Sequence, residues 1–214
     1  MKCDKHTMLL YAVTDRAWVG PMTLLQQAEA ALQNGVTCLQ LREKHLDDEA
    51  FLAEARQMAA LCKRYHVPLI INDRVDIALA CGADGVHVGQ EDMEVSAVRR
   101  LAGEKLIVGV SAHTVEEAVK AARGGADYLG LGAVFSTSTK ADAGAMSHDT
   151  LKAICQAVDI PTVAIGGVSA ENILQLSGSG VDGVAVVSAI FGAPDPGRAA
   201  ARLARLSRQM IAGQ

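Results

Sequence analysis

Aromatic residues are scarce: three Phe, one Trp and three Tyr make up 3% of the 214 residues. A core must therefore be packed from Ala, Val, Leu and Ile, which suits layered α/β packing better than an aromatic-rich sandwich. Cysteine is sparse too. Cys3, Cys38, Cys62, Cys81 and Cys155 are odd in number and far apart, with no Cys-x-x-Cys pair, so a disulfide scaffold or structural zinc site is disfavoured. They read as reduced thiols packed as small apolar residues. No apolar run reaches the ~20 residues needed to span a bilayer. The start, Met1-Lys2-Cys3-Asp4-Lys5-His6, lacks the apolar run and cleavage site of a secretory signal. Basic residues do not cluster, and 20 Lys and Arg against 24 Asp and Glu give a net charge of −4. The electrostatic footprint of a nucleic-acid binder is missing. These absences disfavour membrane and nucleic-acid partners and point to a cytoplasmic protein. Oligomeric state stays open, a homo-oligomer included.

What is present is apolar and alternating. Half of the residues are hydrophobic, which excludes disorder. The length favours one domain over two, and no linker, low-complexity tract or charge block divides residues 1–214. Nearly continuous apolar runs predict strands at Met8–Thr14, Cys38–Arg42, Leu69–Asn72, Gly85–Val88, Leu106–Val110, Tyr128–Val134, Thr162–Ile165 and Val184–Val187. Amphipathic stretches predict helices at Leu24–Gln33, Asp47–Tyr65, Val75–Ala80, Val115–Arg123, Asp149–Val158, Ala170–Leu176 and Pro196–Met210, with a weaker pattern over 94–102. A phrase recurs where helix gives way to strand: Asn34-Gly35-Val36-Thr37, Gly82-Ala83-Asp84, Gly125-Ala126-Asp127 and Gly180-Val181-Asp182. Its glycine can take the left-handed conformation that closes a helix. Eight strand–helix units closing on themselves make a single-domain (β/α)8 TIM barrel of near-minimal size, with an open doubly wound sheet as the alternative.

In such a barrel the chemistry lies at the C-terminal ends of the strands. Strand two ends in Gln40-Leu41-Arg42-Glu43-Lys44, where alternation puts Gln40, Arg42 and Lys44 on one side and Leu41 on the other. Two cations and an amide aimed together at a barrel mouth suit an anion. Asp73 and Asp92 hang from the ends of strands three and four. Each could be a helix N-cap, Asp73 before the helix at Val75, or the two could hold Mg²⁺, which takes few protein carboxylates and binds substrate phosphates. Ser111, after strand five, could bond a substrate or cap the helix near Val115. His113 is a general base by type, but no orienting partner is evident. Phe135-Ser136-Thr137-Ser138-Thr139-Lys140, followed by Ala141-Asp142-Ala143-Gly144-Ala145, reads as a loop closing over a phosphorylated ligand. Gly166-Gly167 and Ser188, after strands seven and eight, suit a monophosphate held partly by backbone N–H groups.

These motifs together resemble the thiamine-phosphate synthase family. The match runs through Tyr11-Ala12-Val13-Thr14-Asp15, Gln40-Leu41-Arg42-Glu43-Lys44 and Ile71-Asn72-Asp73-Arg74-Val75-Asp76-Ile77-Ala78. It continues through Ala83-Asp84-Gly85-Val86-His87-Val88-Gly89-Gln90-Glu91-Asp92 and Gly130-Leu131-Gly132-Ala133-Val134-Phe135-Ser136-Thr137-Ser138-Thr139-Lys140. It closes with Ala164-Ile165-Gly166-Gly167 and Gly183-Val184-Ala185-Val186-Val187-Ser188-Ala189-Ile190. The resemblance implies that hydroxymethylpyrimidine diphosphate loses pyrophosphate while the nitrogen of a thiazole monophosphate, or of its carboxylated precursor, takes the freed methylene carbon. It further implies that Gln40, Leu41, Arg42, Glu43, Lys44, Asn72, Ser111 and Lys140 hold the pyrimidine diphosphate. Arg42, Lys44, Lys140 and Ser111 would take part in catalysis, Asp73 and Asp92 would bind Mg²⁺, and Thr137, Ser138, Thr139, Gly167, Val187 and Ser188 would hold the thiazole phosphate. Ala133 and Ser136 depart from the pattern, standing where many members have proline. Two competing readings are a thiazole tautomerase of a related branch and a non-catalytic ligand-binding barrel. Both predict erosion of the diphosphate and metal set, and Arg42, Lys44, Asn72, Asp73, Asp92 and Lys140 are all retained.

Overall fold

The computed structural model describes residues 3–136 and 146–213. Its strands are β1 (Leu10–Val13), β2 (Cys38–Leu41), β3 (Leu69–Asn72), β4 (Gly85–Val88), β5 (Ile107–Ala112), β6 (Tyr128–Gly132), β7 (Thr162–Ile165) and β8 (Gly183–Val186). All pair in parallel, and β1 bonds β8, so the sheet closes into a barrel in chain order. The expected (β/α)8 architecture is what forms, and the open sheet is excluded by the β1–β8 pairing. Outside lie α1 (Leu24–Leu32), α2 (Asp48–Tyr65), α3 (Val75–Cys81), α4 (Val95–Ala102), α5 (Val115–Arg123), α6 (His148–Ala157), the short α7 (Ser188–Phe191) and α8 (Pro196–Ala212).

Strand alternation divides the core into two layers. Outward residues such as Leu39, Leu41, Val86, Val108, Leu129 and Leu131 pack against the helices with Ala28, Met58, Ile154 and Leu203. Inward residues Tyr11, Val13, Cys38, Ile70, Ile107, Tyr128, Val163 and Ala185 fill the barrel. Few large side chains fit there. A Cβ on Gly109 would stand 2.1 Å from Cζ of Tyr128, so glycine on β5 is what admits the tyrosine ring.

The recurring turn phrase has one physical purpose at the N-terminal end of the barrel. Asp84 accepts the backbone N–H of Leu69 at 2.9 Å, Asp127 that of Val108 at 2.7 Å and Asp182 that of Thr162 at 2.9 Å. Thr37 does the same for Leu10 at 2.9 Å. Each side chain ties the start of one strand to the next, so the barrel is stitched pairwise as β1–β2, β3–β4, β5–β6 and β7–β8.

Some expected elements change. The helix expected over Ala170–Leu176 is only a 3-10 turn at Ile173–Leu176. Asn172 accepts the N–H of Ser169 and donates to the carbonyl of Gly167, local bonds that compete with a helical ladder. β5 runs on to Ala112, which brings Ser111 into the strand, whereas β6 stops at Gly132 rather than Val134. A 3-10 turn at Arg16–Trp18, capped by Asp15, had no signal in the sequence. No described helix is long and apolar enough to cross a membrane.

Candidate active site

At the C-terminal mouth a cavity of about 280 Å³ is lined by Gln40, Arg42, Asn72 and Ser111 on one side and Gly167, Val187 and Ser188 on the other. Seven of the expected residues therefore meet in one space. Strand pleating places them: Gln40, Asn72 and Ser111 are inward positions at the ends of β2, β3 and β5. Leu41, by contrast, is fully buried against the helices, so its side chain belongs to the outer core and only its backbone lies at the mouth. Glu43 is buried too, its carboxylate held bidentately by Arg16 at 3.0 and 3.1 Å. Arg16 also binds Glu54, whose carboxyl is raised above its ordinary value, chiefly by burial.

The cations beside the cavity are paired. Arg42 donates to Asp15 at 2.9 Å, and its backbone N–H is fixed by the Thr14 hydroxyl at 3.0 Å. Lys44 is exposed and reaches Asp73 at 2.6 Å. Asp73 is not the cap of α3, because that position is Arg74, which makes no side-chain capping bond. Instead Asp73 takes a left-handed backbone with φ 62°, its N–H bonded to the carbonyl of His87 at 2.8 Å. A non-glycine residue in that conformation is uncommon, and such backbone tends to sit at functional sites. Asp92 is exposed, accepts the N–H of Gly89 at 2.8 Å, and precedes α4 without capping it, since Glu94 holds that position. Among the described residues no three His, Cys, Asp or Glu converge as a metal cage. Neither Asp73 nor Asp92 lines the cavity itself, and Asp92 lines a separate hollow beside α4. What the pair offers a cation is hard oxygen donors from neighbouring strand ends, with water and substrate oxygens to complete the shell.

Ser111 does not cap α5; Thr114 does. His113 does have an orienting partner, Glu117, 3.1 Å from Nδ1. Gly167, at φ 67°, is required by the protein itself: a Cβ would lie 2.6 Å from the Ser136 carbonyl oxygen. The segments that follow β6 and β7 stay bonded to each other, with Phe135 donating to the carbonyl of Gly166 at 3.0 Å. Thr137, Ser138, Thr139 and Lys140, with the small residues up to Ala145, lie outside the described residues.

A polar chain inside the barrel escaped the sequence reading. Gln40 donates to the Tyr11 hydroxyl at 2.6 Å, Tyr11 meets the Tyr128 hydroxyl at 2.8 Å, Tyr128 meets Nδ1 of His87 at 2.9 Å, and Nε2 of His87 lies 3.0 Å from the Ser111 hydroxyl. A histidine between Val86 and Val88 in an apolar strand was the one local signal. Burial holds both tyrosine hydroxyls well above their ordinary pKa, so they remain neutral.

Comparison with known proteins matches residues 10–190 to the family model described as thiamine monophosphate synthase. The chain is 50% identical over 192 residues to the thiamine-phosphate synthase of Ruminiclostridium cellulolyticum, covering 90% of this chain and 91% of that one. It is 47% identical over 194 residues to the Clostridium tetani thiamine-phosphate synthase, covering 91% and 93%. Among solved structures, thiamine phosphate pyrophosphorylase from Pyrococcus furiosus superimposes with a TM-score of 0.89 at 35% identity, covering 97% of this chain and 98% of that one.

Proposed function

The chain belongs to the thiamine monophosphate synthase family and is a transferase of thiamine biosynthesis acting on small molecules; from that premise we propose how its C-terminal mouth performs the coupling. The observation that carries the reading is the convergence of Gln40, Arg42, Asn72 and Ser111 on one cavity with Gly167, Val187 and Ser188. The first group suits an aminopyrimidine diphosphate. The second suits a hydroxyethylthiazole phosphate or its carboxylated precursor.

The aminopyrimidine can share positive charge if its methylene–oxygen bond breaks first, so the demanding part is stabilising the departing pyrophosphate. Arg42 and Lys44 supply cationic donors that can turn to it from Asp15 and Asp73, and Lys140, which follows β6 in the sequence, is assigned the same task. Preorganised charge of this kind commonly lowers a reaction barrier more than any other single effect in an active site. Asp73 and Asp92 would hold Mg²⁺, which when bound supplies further neutralisation of the diphosphate. Lys44 now neutralises Asp73, so taking up the cation would release Lys44 to the substrate. Gln40 and Ser111 orient the pyrimidine ring. Backbone N–H groups near Gly167 and Val187 and the Ser188 hydroxyl hold the thiazole phosphate close to the freed carbon, which lowers the entropic cost of a bimolecular step. No residue need act as acid or base. Five unpaired thiols suit a reducing compartment, and we assign the protein to the cytoplasm.

The test is to mix both substrates with Mg²⁺. Thiamine monophosphate and pyrophosphate should appear in equal amounts, and isomerisation of the thiazole carboxylate without coupling would support the tautomerase reading instead.

A further inference from the structure

Gln40 on β2 and Ser111 on β5 face the cavity, and the four hydrogen bonds through Tyr11, Tyr128 and His87 join them across the barrel interior. The rings are held by packing. Tyr11 and Tyr128 meet edge to face with centroids 5.8 Å apart, and Gly109 and Gly130 leave the room that Tyr128 and His87 occupy.

The direction of these bonds follows from one end. Gln40 presents an N–H to Tyr11, so the Tyr11 oxygen accepts there. Tyr128 and the Cys38 thiol are the other groups at that oxygen, and since sulfur is much the weaker acceptor the Tyr11 proton goes to Tyr128. Tyr128, accepting from Tyr11, gives its own proton to Nδ1 of His87. On a neutral ring Nδ1 would then carry no hydrogen, and Nε2–H would donate to the Ser111 oxygen. Ser111 keeps its hydroxyl proton for the cavity. At the other end the amide oxygen of Gln40 accepts no bond from the described residues and is not a buried orphan, so it too faces the cavity.

We infer that Tyr11, Tyr128 and His87 are positioning residues forming a relay of fixed polarity, which makes the cavity present an acceptor at Gln40 and a donor at Ser111. That pattern complements an aminopyrimidine, whose exocyclic NH₂ donates and whose ring nitrogen accepts. A 4-oxo pyrimidine would set oxygen against oxygen at Gln40. A site built on such bonds rejects the mismatched analogue far more strongly than an apolar pocket could. The inference deepens the coupling reading, on which its substrate half rests.

The test reads the His87 ring by ¹⁵N NMR in the ligand-free protein, where Nδ1 should be unprotonated and Nε2 protonated. Gln40→Glu leaves only acceptors at one end, so Tyr11 must donate to it and every bond reverses, giving the Nδ1–H tautomer. Adding Tyr128→Phe breaks the relay and should abolish that reversal. An Nδ1–H tautomer in the unaltered protein, or no change with Gln40→Glu, overturns the proposal whether or not the coupling activity is present. In kinetics, Tyr128→Phe should narrow the kcat/KM preference for the aminopyrimidine diphosphate over its 4-oxo analogue by ~10-fold or more. An equal loss for both substrates would mean that Tyr128 only supports the barrel. Should Tyr128→Phe fail to fold, the Gln40→Glu tautomer still decides. Absence of coupling in the unaltered protein, with the expected tautomer present, would remove the substrate reading and leave the relay standing.

Discussion

The two ends of the barrel use the same residue types for opposite purposes. At the N-terminal end, Asp84, Asp127 and Asp182 give their carboxylates to backbone amides, which cannot move without opening the barrel. At the C-terminal end, Asp15 and Asp73 face the cations Arg42 and Lys44, side chains that can turn to another anion. A carboxylate on an amide is permanent architecture. A carboxylate on an exposed lysine is exchangeable, and a ligand bearing phosphates can take its place. Surface ion pairs are worth little in stability, typically ~0.2–1 kcal/mol, so the exchange at Lys44 costs little.

The sharpest break of this contrast is Asp73→Asn. Asparagine tolerates the left-handed backbone, so folding should survive, while turnover should fall at least ~10²-fold. A steady-state assay beside a melting curve checks both. Next in effect on activity is Gly167→Val, which drives a branched side chain into the Ser136 carbonyl and displaces the side of the mouth proposed for the thiazole phosphate. Losing one or two charge-assisted bonds there corresponds to roughly tenfold or more in affinity for the thiazole phosphate. Calorimetry should show pyrimidine diphosphate binding nearly unchanged, and equal weakening of both would collapse the two-sided mouth into one site.

Asp84→Ala probes the opposite end. It leaves the Leu69 N–H without its acceptor, so stability should drop by ~1–3 kcal/mol. The turnover of folded enzyme should stay within about twofold of the unaltered protein, because Asp84 lies at the end of the barrel opposite the candidate cavity. Smallest is an alkaline effect. Burial pushes the Cys62 thiol up to about 12, so the folded state keeps a proton that the unfolded chain releases near its ordinary value. Its contribution to stability is full below about pH 9 and is lost as pH rises towards 12. Urea titrations at successive alkaline pH values should lose more midpoint in the unaltered protein than in Cys62→Ala, whose reference stability is lower throughout.

Much of the fold was legible because fully buried parallel strands leave continuous apolar runs. Leu69–Asn72, Gly85–Val88 and Thr162–Ile165 match to the residue, as does the helix Val115–Arg123. The Ala170–Leu176 helix failed because Asn172 takes up the local backbone groups. At the mouth, position along a strand located Gln40, Asn72 and Ser111 directly. Partners from elsewhere in the chain stayed hidden: Asp15 lies 27 residues from Arg42, and Tyr11 lies 117 from Tyr128. Pairings at such separations leave no periodic trace. For Asp73 the sequence left a cap and a cation ligand both open, because neighbouring residue types suit either, and it is the placement of Arg74 at the cap position that removes the first.

The central claim is that the C-terminal mouth couples the two substrates with a divalent cation held at Asp73 and Asp92. Its most direct test follows thiamine monophosphate formation in Mg²⁺, in excess chelator, and after Mg²⁺ is restored. Formation should cease with the chelator and return with the metal. Undiminished formation in chelator would contradict the account.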